Sequence, residues 1–260
     1  MPELDLAVLG PSEVELCFGD LPRMPLAGEE LFSSGLEVRA LASALTAIAA
    51  HRLGLRTVVA TPLGSDFPGR YLRHLLDVEH VPWLGPEAVR SGLVVDFGTD
   101  CGPALRLTTR ERWNGAWPDT LPRVVAGAPA WVEHVPVGVP RYLLPEGDEA
   151  LGEIADLEAV CVIATESAAC RLAGYEELEL ALRELGRHWP TVVVDRGQDG
   201  VVAVTSGATV RLDGAPRPRY ALRMSHPLFV AAYLWGDALG LDLLARLRWA
   251  ILHAAKGDLP

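Results

Sequence analysis

Apolar and polar positions fall into two kinds of block along the chain. Leu4–Leu9, Arg56–Thr61, Ala159–Ala164 and Pro190–Asp195 are short, mostly apolar runs, the length of strands buried on both faces. Other segments carry apolar residues at helical spacing. Val38–Leu53 is rich in Ala and Leu and is closed by Gly54. Gly69–Val78 places Tyr71, Leu72, Leu75 and Leu76 on one side, and Tyr175–His188 does the same with Leu178, Ala181, Leu182 and Leu185. Pro227–Trp235 and Leu241–Ala255 read as two closing helices, with Ser225 of the type that caps a helix and Pro227 suited to its first turn. Ser91–Thr109 reads as two antiparallel strands around the turn Gly98–Gly102, and Val201–Leu212 as a hairpin around Ser206-Gly207. Trp113–Pro145 is rich in Pro, Gly and Trp and gives no assignable period. Strands alternating with helices predict an α/β fold with a mostly parallel sheet covered on both faces.

Composition narrows the chemistry. The 260 residues suffice for one large core, and 50% hydrophobic with 22% charged residues is a globular balance. A net charge of -11 argues against a nucleic-acid partner, and Arg217, Arg219 and Arg223 read as a solvated face. Of the 23 basic residues only Lys256 is lysine, near the end of the chain. A Walker A phosphate loop, Schiff-base chemistry and Ser-x-x-Lys acyl transfer are thereby excluded. Cys17, Cys101, Cys161 and Cys170 form no Cys-x-x-Cys pair, and Cys17 and Cys161 are expected as buried thiols. The seven histidines have no metal-ligand spacing, so no metal site is assigned. Met1–Gly10 lacks the basic region of a signal peptide, and Ala40–Ala50 is too short to span a bilayer. A cytoplasmic protein without membrane contact is expected.

Four segments resemble the ribokinase or PfkB carbohydrate-kinase family. They are Asp5–Gly10 with Glu15-Leu16, Leu21-Pro22 and Gly28-Glu29; Ala44–Thr57 with Leu63–Gly69; Val192–Val204; and Phe229–Gly236 with Leu241–Ala255. The second contains the Gly-x-Asp-x-x-Gly run Gly64–Gly69. The resemblance implies a single ribokinase-like domain, a three-layer α/β/α sandwich with a small β lid near residues 15–37 and 91–110. It implies phosphoryl transfer from ATP to a hydroxyl of a sugar or nucleoside. Backbone amides at a helix start would hold the charge, an Asp there would take the proton, and Mg²⁺ would shield the phosphates. It also implies a homodimer through the lid.

The diagnostic motifs depart from the family pattern. Anchored on Phe229, the family's Gly-Ala-Gly-Asp falls on Met224-Ser225-His226-Pro227, so the base position is Pro227. Two glycines and a following Asn fall on Ala40, Leu41 and Leu45 when anchored on Leu53-Gly54. The Asn-x-x-Glu of the magnesium site falls on Thr165 and Ala168, with Glu166 as a shifted carboxylate. What remains is Glu15 as substrate-side acid, Asp195, Arg196, Gly197 and Ser225 on the nucleotide side, and His226 as a substitute base. Asp66 and Gly69 are read as shaping a turn. The expectation is a kinase-fold protein impaired in catalysis that acts by binding a small ligand or partner. The alternative is an active, divergent kinase using ATP and Mg²⁺, with His226, Glu166 or Asp195 in altered roles.

Overall fold

The computed structural model describes residues 4–19, 21, 23–97, 104–107, 121–146, 149–216 and 222–257. The turn 98–102, Cys101, Trp113, Trp117, Arg217 and Arg219 lie outside the described residues, as does the Arg223 side chain. In chain order the elements are β1 (Leu6–Leu9), β2 (Ser12–Gly19), β3 (Gly35–Leu41), α1 (Ala42–Arg52), β4 (Thr57–Ala60), β5 (Leu63–Gly64), α2 (Phe67–Val78), β6 (Glu87–Ala88), β7 (Gly92–Asp96) and β8 (Ala104–Leu107). They continue with β9 (Val124–Gly127), α3 (Pro129–Val132), β10 (Arg141–Leu143), α4 (Leu151–Ile154), β11 (Cys161–Thr165), α5 (Glu166–Ala173), α6 (Leu178–His188), β12 (Thr191–Asp195), β13 (Val201–Thr205), β14 (Ala208–Leu212), α7 (Leu222–Ala238) and α8 (Leu243–Lys256).

The central sheet runs β14-β13-β12-β11-β10-β9-β1-β4. It is parallel from β12 to β4, and the hairpin β13–β14 adds two antiparallel strands at the other edge. Alternate residues of each strand feed opposite cores. Leu6 and Val8 join α1, α2, α7 and α8 on one face, while Ala7 and Leu9 join α3 to α6 on the other. Burial on both faces is why these strands read as unbroken apolar runs. Behind the first face, Tyr142 donates to Asp237 Oδ2 at 2.5 Å, and Arg246 pairs with Asp237 and lies over the Tyr233 ring. This polar knot ties β10 to α7 and α8. No helix among the described residues is long and apolar enough to cross a membrane.

A second sheet, β3-β2-β7-β8, forms the lid. In it β2 pairs antiparallel with β3 and parallel with β7, and β7 pairs antiparallel with β8. The pairing register puts Glu13, Glu15, Arg39, Val94 and Arg106 on one face. The other face carries Val14, Leu16, Phe18, Val38, Val95, Leu105 and Leu107. Its base packs on the core, whereas Leu36, Leu105 and Leu107 are more than half exposed. Asp66 anchors the lid to α2: its Oδ1 accepts from Gly69 N at 3.1 Å and its Oδ2 from Ser91 N at 2.9 Å. Burial pushes that carboxyl up, but the two amides outweigh it and hold it below its ordinary range. A side chain at Gly69 would meet the Gly64 carbonyl at 2.0 Å, so the Gly-x-Asp-x-x-Gly run serves this junction.

Three expectations are corrected. The helix expected from Val38 starts at Ala42, because Val38–Leu41 pair with β2 as lid strand. Ala and Leu composition does not separate those two states. Helix α7 starts at Leu222 rather than Pro227, so Pro227 lies inside it and Ser225 is a helical residue, not its cap. Leu222, Arg223 and Met224 are good helix formers, and the buried positions after Pro227 hold the rest of the helix in place. Cys17 is half-buried, while Cys161 is buried and its thiol is pushed up to about 12 by burial.

Candidate functional site

At the carboxyl ends of the parallel strands, a cavity of about 320 Å³ opens under the lid. Such strand ends are where α/β sheets hold ligands, and the volume is at the small end of the ~300–1,000 Å³ usual for small-molecule clefts. Its floor is Ala128 after β9, Leu144 and Pro145 after β10, and Thr165 at the end of β11. One wall is the start of α1, with Leu41, Ala42, Ser43 and Thr46. The roof is the lid's polar face, with Glu13, Val94 and Arg106. The last wall is α7, with His226, Pro227 and Val230.

The α1 wall has an unusual backbone. Ala42 has φ +55°, a left-handed conformation that favours glycine. The amides of the first turn go to neighbours: Ser43 N donates to the Pro11 carbonyl, and Ala44 N to Ser12 Oγ at 2.9 Å. The polar residue four positions on is Thr46, which lines the cavity and donates to its own Ala42 carbonyl at 3.1 Å. Leu45, the position expected from the motif spacing, is fully buried in the core, as is most of Ala40. The polar position is therefore one residue further along than the Leu53-Gly54 anchor implies.

On the roof, Arg106 Nε donates to Glu13 Oε1 at 2.6 Å, and its Nη2 lies 4.0 Å from Glu146 Oε2. The guanidinium thus spans from the lid to the loop after β10. Glu13 is almost wholly buried, so this charge partner is what makes its carboxylate tolerable there. Glu15 is on the same face of β2 but does not line the cavity; it is buried with Arg39 Nη1 at 4.0 Å. Strand alternation puts Glu13 on the same face as Glu15, the acid singled out from sequence, and does not choose between them. Arg106 is legible as one charge inside the apolar run Ala104–Leu107.

The α7 side is built differently. Thr165 and Asp195 are register partners at the ends of β11 and β12. Thr165 Oγ1 caps α5 by accepting from Ala168 N at 3.3 Å. Asp195 is buried; its Oδ1 accepts from Gly197 N at 3.0 Å, and its Oδ2 lies 3.2 Å from His226 Nδ1. Arg196 Nε donates to Glu166 Oε2 at 2.8 Å, which raises the arginine's pKa. Gly200 closes this loop at φ +96°, where a side chain would strike the Leu212 carbonyl at 2.0 Å. Of the nucleotide-side residues singled out, Asp195, Arg196, Gly197 and Ser225 do not line the cavity, whereas His226 and Pro227 do.

The described residues do not offer a bound nucleotide and its metal the groups that the resemblance implies. The Gly197 amide is taken by Asp195, and α7 already runs as helix from Leu222, about 7 Å up the axis from Pro227 at ~1.5 Å per residue. Pro227 itself has no N–H. Thr165 and Ala168 offer no carboxylate, and Glu166 is engaged by Arg196. Among the described residues no cluster of three His, Cys, Asp or Glu is placed to hold a metal ion.

Solved structures carry the likeness that the sequence motifs pointed to. A PfkB protein from Polaromonas sp. superposes with a TM-score of 0.73 at 20% identity, covering 99% of this chain and 97% of that one. Ribokinase from Cryptococcus neoformans, in complex with ADP, gives 0.77 at 15% identity over 97% and 93%. Arabidopsis thaliana ribokinase, complexed with ribose and ATP, gives 0.73 at 18% identity over 97% and 92%. No family model matches the sequence, and no curated protein sequence does. The fold is ribokinase-like: a mostly parallel sheet between helical layers, with a small β lid.

Proposed function

We propose that the chain is a ribokinase or PfkB-family protein, related to sugar and nucleoside kinases, that is impaired in phosphoryl transfer and acts by binding. The observation that carries this reading is the course of α7. The helix runs from Leu222 through Pro227, the position on which the resembled motif would put its base. Side chains of Met224, Ser225 and His226 then stand where backbone amides would meet phosphate, and Pro227 supplies neither a proton acceptor nor an N–H. Loss of a positioned base alone costs about 10²–10⁴ in rate, and loss of the anion hole compounds it.

The lid-covered cavity supports the binding half of the reading. It is walled by hydroxyl groups and apolar side chains, and its charges are largely paired within the protein. A small neutral ligand is its natural occupant. The lid's outer apolar face, with Leu36, Leu105 and Leu107 exposed, suits a second copy of the chain. Light scattering checks this: Leu105→Glu should turn a dimer into a monomer, and a wild-type monomer at all concentrations overturns it.

The test of function is ADP release from Mg²⁺-ATP over a panel of sugars and nucleosides, paired with thermal shifts. The expected result is no release above background, stabilisation by a neutral ligand, and none by ATP or ADP. Turnover near one per second overturns it. A second reading, an active divergent kinase, is favoured by one observation: the imidazole of His226, beside the family's base position, is held by a carboxylate.

A further inference from the structure

The pairing of His226 with Asp195 has a chemical consequence at the cavity wall. The Asp195 side chain is 2% exposed, and its two oxygens have different partners. Oδ1 takes the Gly197 amide and Oδ2 faces His226 Nδ1 at 3.2 Å. An ionised carboxylate only accepts hydrogen bonds, so the proton at this contact belongs to Nδ1. A neutral imidazole carries one ring proton, and Nε2 is then a bare acceptor. The ring is fixed on its other side as well, stacked on Phe229 one turn along α7 with centroids 6.5 Å apart and planes 8° apart. His226 borders the cavity and is 24% exposed, and the ring nitrogen that meets Asp195 is Nδ1, not Nε2.

We infer that Asp195 is a positioning residue that holds His226 as the Nδ1–H tautomer, so that Nε2 accepts a hydrogen bond from a hydroxyl of a neutral polyol in the lid-covered cavity. The ligand class follows from the other groups there. Among the described lining residues Glu13 and Glu146 are carboxylates and Arg106 is already paired with Glu13, so these groups do not favour a phosphorylated or carboxylated ligand. Ser43, Thr46 and Thr165 offer hydroxyls, and Leu144 and Val230 offer apolar contact to a carbon skeleton. No bond is made or broken in this role. It deepens the binding reading above and rests on it only for the polyol.

The test is long-range ¹H–¹⁵N NMR of the imidazole nitrogens in the full-length chain at mildly alkaline pH, with His226→Gln to assign the signals. The expected spectrum shows a protonated Nδ1 and an unprotonated Nε2 for His226. A protonated Nε2 in the wild-type chain overturns the inference. In Asp195→Asn the amide NH₂ can face Nδ1 and force the opposite tautomer, as replacing an orienting aspartate by asparagine does elsewhere. An unchanged tautomer in that variant removes Asp195 from the positioning role. For the ligand, D-ribose is the probe: at saturating concentration it should slow carbethoxylation of Nε2 by diethyl pyrocarbonate by about tenfold or more. No protection overturns the polyol assignment. Failure here is separable from failure of the functional reading. ATP turnover overturns impaired catalysis and leaves the tautomer standing, whereas a protonated Nε2 overturns the dyad and leaves impaired catalysis standing.

Discussion

The two walls of the cavity differ in opposite ways from the motifs that the sequence resembles. At the α1 wall the geometry persists and the chemistry is altered. Ala42 keeps a glycine-like backbone, and Thr46 keeps a polar group facing the cavity. At the α7 wall the geometry itself is different. The helix is already under way at Leu222, with Pro227 inside it, and the Gly197 amide is satisfied by Asp195. A backbone kept at φ +55° without glycine holds a conformation L-residues rarely adopt. Substitution of side chains leaves a pocket behind, whereas growth of a helix through an anion site removes the site. On the proposed reading, the half of the cavity suited to a small molecule is the better formed of the two.

The comparison breaks most readily at α7. Pro227→Asp alone should leave ADP release at background, because a carboxylate inside a helix does not recreate amides at a helix start. Replacing all four residues (M224G, S225A, H226G and P227D) should end the helix near residue 227 and raise ADP release roughly 10²-fold over the single variant. Equal rates in a coupled assay would show that the longer helix is not what blocks phosphoryl transfer. On the lid side, Arg106→Ala strips the partner from a buried Glu13. Because Arg106 is itself about half exposed, the expected cost is about 1–2 kcal/mol rather than that of a fully buried pair. Urea unfolding reads it, and hydrogen exchange should speed in β2 and β7 while β11 and β12 stay protected.

A smaller effect separates backbone from side chain at Pro227. Pro227→Ala restores the N–H that can reach the Arg223 carbonyl and should stabilise the chain by about 1 kcal/mol, read as a higher Tm. No stabilisation would mean that the helix has already adapted to the proline. The smallest effect lies at the far end of the sheet and serves as a reference for both walls. Arg56, by hydrogen bonding, holds the Asp5 carboxyl down to about 2. Its folded pKa is below the unfolded value of ~3.9, so its contribution is complete above that value and is lost as pH falls towards about 2. Asp5→Asn should flatten that part of the acid limb in a pH series of unfolding, leaving the cavity untouched.

The sheet was largely legible because strands buried on both faces leave apolar runs that little else produces. Thr191–Asp195 and the hairpin Val201–Leu212 stand where the pattern placed them, and α2 begins two residues before its expected start at Gly69. The Pro- and Trp-rich middle hid β9, α3 and β10, since strands of three or four residues carry too few positions to show a period. The cavity was harder. Glu13 and Glu15 are equivalent to any argument from alternation, and only the lid's placement separates them. The start of α7 set two local rules against each other: proline at a first turn, and good helix formers before it. The sum over a whole turn prevailed, and with it went the expectation that Ser225 caps the helix. The Asp195–His226 contact joins residues far apart in sequence and had no local signature.

The lid has a consequence for the order in which the molecule assembles. Its central pair aligns Glu13 with Gly92, and the chain between them holds α1, β4 and α2. Closing so long a loop is entropically expensive until those intervening elements are packed. Pairing of β2 with β7 is therefore favoured once α1, β4 and α2 have packed and brought the two strands close. Until that pairing forms, the pocket has no roof. In that interval the apolar strands of the lid are the surface most exposed to mispairing with a neighbouring molecule.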